Sequence, residues 1–261
     1  MILKRGRALF ARSRKAARLV GALAYIKAAR LAGDQPPIYL DVGARGGLSP
    51  NWRLARQFGL IKPVYCEPDV AEAERLRTAD PDSIVIPHAF GQVAATRILY
   101  ITREPGRSSL LFPECPSVIK NGQEDWSVER EIPVEVLKLD DVWSSFSGSP
   151  PAFIKVDVQG YELEVLKGAE KLLYDEVLCV ELEASFVPFY RGQPKLQTVF
   201  DFMFTRKFDL VKIKPQGLFE DGILEFNVFF VRRGYHKEGR ARLWKLINNV
   251  PDHGRLVVHG Y

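Results

Sequence analysis

The feature that most restricts the fold is an alternation that begins at Pro37. Apolar, β-rich runs at 38–42, 62–67 and 83–88 are separated by helical stretches at about 49–58 and 69–79. A strand–helix–strand–helix–strand order with short links predicts a parallel sheet covered by helices on both faces. The rhythm lapses between 96 and 136, where strand-like pieces at 96–101 and 132–136 flank a segment rich in Pro, Gly and Ser. Residues 103–131 therefore read as a long excursion over the sheet, and connections of that length are functional or disordered more often than not. Regularity resumes with "FIKVDVQG" (153–160), a helix over 161–173, a strand at 177–184 and a helix over 195–206. Two last strands, 208–213 and 225–231, read as a closing antiparallel pair. The expected organisation is a basic helical extension over 1–34, one α/β domain over 35–235 and a helical tail over 236–261.

In open α/β sheets, ligands bind beyond the carboxyl ends of the strands, so the residues at those ends matter. The first strand ends in Asp41 and runs into a turn with Gly43, Gly46 and Gly47. The second ends in Glu67, the third in His88 and Ala89, the fourth in Asp157 and Gly160, and the fifth in Glu181 and Glu183. A turn stripped of side chains lets a ligand approach the backbone. The spacing here, Asp41-Val-Gly43-Ala-Arg-Gly46-Gly47, is not the Gly-x-Gly-x-x-Gly that admits a pyrophosphate. It suits a nucleoside carrying an amino acid, of which S-adenosylmethionine is an example. Glu67, 26 residues after Asp41, stands where a carboxylate takes both ribose hydroxyls.

Several segments resemble the FkbM family of S-adenosylmethionine-dependent methyltransferases: "LDVGARGG" (40–47), "YCEPD" (65–69), "AFG" (89–91), "SSLL" (108–111), "VLKLDDV" (136–142) and "FIKVDVQGYELEVLKGA" (153–169). The resemblance covers about 37–230. It implies the class I methyltransferase (Rossmann-like) fold, a seven-stranded, mostly parallel sheet with helices on both faces, here with a basic N-terminal helix added. It also implies O-methylation of a small molecule, sugar or glycan. By position it implies Asp41, Gly43, Ala44 and Gly47 around the cofactor's amino acid end, Glu67 at the ribose and Ala89 near the adenine. Two positions depart from the family pattern: Arg45 where Asn is common, and Gln159 where Glu is common. Arg45 places a cation beside the pocket, either for an anionic substrate or as a partner of Asp41.

Methyl transfer is an in-line displacement, so the protein's tasks are positioning and removal of a hydroxyl proton. Asp157 is the candidate for that work, as base or as holder of a divalent ion that acidifies the hydroxyl; the alternative is a cap on the next helix. Glu183 is the second catalytic candidate, as a metal or substrate ligand, with pairing to Lys155 as its structural alternative. His88 reads more readily as a hydrogen-bonded structural group, whereas Ser108 and Ser109 suit hydrogen bonds to substrate or cofactor and a turn-forming role alike. Competing functions are a nicotinamide-dependent oxidoreductase, a silent relative that binds cofactor only, and a membrane- or partner-binding protein.

Charge is divided unevenly. Residues 1–30 hold nine Lys or Arg and no acid, leaving 28 basic against 32 acidic residues in the remainder, a net of −4. That mildly acidic body argues against a nucleic-acid partner. The basic helix, interleaved with apolar positions, suits either an anionic inner membrane surface or a packed face on the fold. Three scattered cysteines suggest neither zinc nor disulfides, and with no 18-residue apolar run the expected location is cytoplasmic.

Overall fold

The computed structural model describes residues 28, 31, 35–117, 119, 123–146, 148–216, 225–250 and 257–258. The basic segment expected as a helix lies outside these apart from Ala28 and Leu31, which are helical. Ala28 is buried in the core, with Leu31 packed against the same cluster.

The main sheet contains β1 (Ile38–Val42), β2 (Lys62–Cys66), β3 (Ile84–Ile86), β7 (Pro151–Val156), β8 (Cys179–Ser185), β9 (Phe208–Pro215) and β10 (Glu225–Arg232). Their order is β9-β10-β8-β7-β1-β2-β3, and the two-residue β11 (Val257–Val258) adds to the outer edge of β9. β10 runs antiparallel to both its neighbours, while β8, β7, β1, β2 and β3 are mutually parallel. The sequence-derived sheet is thus the observed one. The central strands are buried on both sides, as parallel strands between two helical layers must be: all five residues of β1 are buried.

Strand alternation sorts the core into two layers. Leu40, Val42, Ile154, Val156, Val180 and Leu182 face one side, against α4 (Glu162–Lys167), α5 (Glu170–Asp175) and α6 (Leu196–Thr205). Tyr39, Phe153 and Cys179 face the other, where Trp52 of α1 (Pro50–Gln57) and Trp244 of α7 (Gly239–Ile247) cover them. Tyr39 and Trp52 stack with ring centroids 4.0 Å apart. The tail helix is therefore a wall of the same core.

Two features differ from the expectation. The helix read over 161–173 is two helices, broken at Gly168. A Cβ at Gly168 would collide with the Gly91 carbonyl, so only glycine permits that approach. After the break, Asp140 of α3 (Leu139–Ser144) accepts hydrogen bonds from Lys171 N (2.9 Å) and Leu172 N (3.0 Å). A carboxylate from another helix thus satisfies first-turn amides of α5, work normally done by the local N-cap. The excursion is also more ordered than expected. β5 (Ala95–Thr102) and β6 (Val128–Leu137) extend beyond the predicted pieces and pair antiparallel, and β4 (Ala89–Phe90) joins β6 to make a second sheet.

Candidate active site

The chain builds β1, β2 and β3 outward in one direction, then returns to place β7 on the free side of β1. The reversal leaves a crevice above the β1 and β7 carboxyl ends, where ligands bind in sheets of this kind. A cavity of about 280 Å³ opens there. Gly43, Glu67, Ala89, Asp157 and Glu183 all contribute to its wall, as do His88, Ser108 and Ser109. Asp41, Ala44 and Gly47 do not. Asp41 and Ala44 are buried beneath it, and Gly47 lines a separate groove beside Leu76.

The glycine turn has a cause within the protein itself. Gly43 N and Ala44 N both donate to Cys66 O, at 3.0 and 3.1 Å, folding the turn back onto β2. Gly43 has φ +81°, and a Cβ there would strike the Asp157 carbonyl. Asp157 N in turn donates to Val42 O at 2.9 Å. The two strand ends are therefore locked together, and the open turn is required by chain packing as well as by any ligand.

Glu67 is nearly fully buried and forms one wall. Its Oε1 accepts from Asp69 N at 2.9 Å and lies 4.0 Å from Arg45 Nη2. Burial pushes its carboxyl up to about 7, against the opposing pull of the Asp69 amide and Arg45. Arg45 pairs with Asp69 at 2.8 Å; it is not a partner of Asp41, whose cation is Lys155 at 3.4 Å. Beyond Glu67, Ala89, Phe90 and Leu99 give the cavity an apolar end. An acid followed by an apolar slot matches a ribose followed by a base.

At the opposite end stands a half-buried acid pair, Asp157 and Glu183. Lys155 Nζ lies 3.2 Å from Asp157 Oδ2, and Gln159 Nε2 donates to Asp157 Oδ1 at 3.0 Å and to Glu183 Oε2. Burial raises the Asp157 carboxyl, but the Lys155 ammonium and hydrogen bonds from Glu183, Gln159 and Lys155 outweigh it and leave it below the usual range. Glu183 moves the other way, raised by burial and by the Asp157 charge. Like charges this close do not both ionise readily. The surroundings therefore favour the charge on Asp157 and disfavour it on Glu183.

Two structural alternatives fail. Asp157 does not cap α4: the N-cap position is Tyr161, with no side-chain cap bond, and Glu162 Oε1 ties back the preceding turn by accepting from Val158 N and Gly160 N, each at 3.1 Å. Glu183 is not the partner of Lys155, which belongs to Asp41 and Asp157. His88 sits at the cavity edge, 3.4 Å from Glu135. Ser109 Oγ donates to Gln159 O at 2.7 Å, and Ser108 Oγ accepts from Thr102 N at 3.2 Å; both hydroxyls hold the excursion in place.

The residue that organises this end is Gln159. It adopts φ +59°, uncommon for a side-chain-bearing residue, and its Oε1 accepts from Tyr190 OH at 2.6 Å. The sequence marked Gln159 as a departure but gave no signal for Tyr190, which arrives from a loop after β8. Among the described residues, no group of three or more His, Cys, Asp or Glu is placed to hold a metal ion.

A Rossmann-like α/β sheet with a cavity at its switch point is an architecture that binds nucleotide-bearing cofactors. Within it, the "Methyltransferase FkbM domain" profile matches residues 41–210, and the chain belongs to that family. No curated protein matches it. Among solved structures it is similar to the methyltransferase FkbM of Methylobacillus flagellatus KT, at 16% identity and a TM-score of 0.48, over 75% of this chain and 44% of that one. It thus spans less than half of that protein's length. It is also similar to an O-methyltransferase from Bacillus cereus solved with SAH, at 15% identity and a TM-score of 0.40, over 81% of both chains. Magnesium protoporphyrin IX methyltransferase from Synechocystis PCC 6803, solved with SAM, matches at 9% identity and a TM-score of 0.42, over 82% of this chain and 78% of that one. No helix among the described residues is long and apolar enough to cross a membrane.

Proposed function

We propose that this protein transfers the methyl group of S-adenosylmethionine to a hydroxyl oxygen of a small molecule or glycan. The observation that carries the reading is one cavity holding two carboxylates in unlike surroundings: Glu67 beside the apolar Ala89, Phe90 and Leu99, and Asp157 paired with the Lys155 ammonium. Glu67 accepts the ribose hydroxyls, and Ala89, Phe90 and Leu99 contact the base. The cofactor, when bound, supplies a methyl made electrophilic by its sulfonium. Asp157 would accept the acceptor's hydroxyl proton as that oxygen takes the methyl from sulfur. Glu183 and Gln159 fix the orientation of Asp157, and Lys155 holds it ionised.

The Lys155 ammonium, 3.2 Å from Asp157, supplies positive charge where the alternative reading would put a divalent ion. The test is calorimetric titration with S-adenosylmethionine and with NAD, followed by transfer of labelled methyl to hydroxylated acceptors. Binding of NAD and not of S-adenosylmethionine would overturn the proposal in favour of a nicotinamide-dependent oxidoreductase.

A further inference from the structure

A second cavity, of about 340 Å³, lies on the other side of Asp157. Asp157 and Gln216 belong to the walls of both cavities. The floor of the second is a charged row across the sheet. Lys155 is in register with Glu181, Glu181 with Phe229, and Phe229 with Lys212, so all four share one face. The row is covered on either side by the start of α1 and the end of α7.

Three of these groups distinguish the cavity from an ordinary polar cleft. Glu181 is 7% exposed; its Oε1 accepts from Asn227 Nδ2 at 3.1 Å, and its Oε2 has no partner among the described residues. A buried carboxylate oxygen left without a donor is costly, and such groups need an explanation. Lys212 is buried and donates to the Asn248 carbonyl at 2.7 Å, with no carboxylate bonded to it among the described residues. Lys214 is exposed at the rim, and its ammonium makes no hydrogen bond or ion pair among the described residues. Lys155 is matched by Asp41 and Asp157, so Lys212 and Lys214 face the single carboxylate of Glu181.

We propose that the second cavity binds the methyl acceptor, and that the acceptor is a hydroxylated compound carrying one oxyanion, a carboxylate or a phosphate. The inference rests on the methyl-transfer reading. In that reading the first cavity is taken up by the cofactor from Ala89 to Asp157, and an in-line displacement brings the acceptor oxygen from the opposite side of the transferred group. The second cavity opens on that side of Asp157. Lys214 takes the oxyanion, one hydroxyl donates to Glu181 Oε2, and the hydroxyl to be methylated reaches Asp157.

The experiment uses the full chain loaded with S-adenosylhomocysteine, titrated calorimetrically with glucose, glucuronate and glucose 6-phosphate. At least one of the acidic sugars is expected to bind about tenfold or more tightly than glucose, the scale of one charged hydrogen bond. Which of the two binds separates carboxylate from phosphate recognition. Lys214→Ala should erase the preference while leaving S-adenosylhomocysteine affinity and melting temperature unchanged, and Glu181→Gln should weaken every sugar. Equal binding of glucose and both acids, binding of none of them to the loaded protein, or an unchanged preference in Lys214→Ala would each overturn the inference. Failure of S-adenosylhomocysteine itself to bind would instead bring down the methyl-transfer reading, and this inference with it.

Discussion

Glu67 and Asp157 are both strand-end acids in one cavity wall, and their surroundings drive them apart. At Glu67 burial outweighs the Asp69 amide and Arg45 and lifts the carboxyl to about 7; Asp157 has Lys155 and Gln159 within hydrogen-bond reach and is held low. The cofactor's ribose is best accepted by an ionised Glu67, so affinity for S-adenosylmethionine should climb as pH rises through about 7. Glu67→Gln should flatten that rise and weaken binding by about 1–3 kcal/mol, the scale for charged hydrogen bonds, as calorimetry at pH 6, 7 and 8 would show. Asp157→Asn should keep cofactor binding within a few-fold and lower turnover on the order of 100-fold or more, the scale of lost general-base catalysis. Turnover should also survive a chelator, because Lys155 supplies the neighbouring charge; loss of activity on chelation would assign Asp157 to a metal. Both acids were visible in the sequence because each ends an apolar run. The partner of Asp41 was not, since Lys155, 114 residues away, reaches it only because β7 inserts beside β1.

The break between α4 and α5 shows how one side chain sets the course of an element. Asp140 accepts two amides of α5 and donates its own N–H to Gly168 O at 3.0 Å. Asp140→Ala should therefore destabilise the fold by about 1 kcal/mol, the usual cost of a lost cap, with the urea midpoint lowered and S-adenosylmethionine affinity unchanged. Sequence periodicity missed the break because Val165, Leu166, Ala169, Leu172 and Leu173 continue a helical apolar spacing across it and are all buried. It found strand-like pieces at 96–101 and 132–136, within β5 and β6, but not their full lengths or their union with β4 in a second sheet. The first four residues of β5 are exposed and β4 has two residues, too little burial or length to give a half-buried strand's alternation. The longer, two-sided strands β1, β7 and β8 were legible because burial on both faces leaves a continuous apolar run.

Across the whole molecule, Glu67, Glu162 and Glu181 are each pushed up to about 7, foremost by burial. Between their ordinary value of 4.5 and about 7, the folded protein keeps protons that the unfolded chain has released. Stability should then fall as pH rises through that window, while depressed groups such as Asp157 and Asp209 lose their contribution only in stronger acid. Thermal melts from pH 5 to 8 should show a declining midpoint, and Glu181→Gln should reduce the slope; a midpoint that rises toward pH 8 would contradict this. The contact of Gly43 with the Asp157 carbonyl bears on how such a protein can change over generations. The two turns beneath the cavity fit each other as closely as they would fit any ligand, so neither can be remodelled alone. Any side chain at position 43 would push the Asp157 turn away before it touched a cofactor. Novelty has to enter elsewhere, through the excursion and the β9–β10 edge, where residues can be exchanged without disturbing that joint. A lineage built on this chain would be expected to hold its donor constant and vary its acceptors.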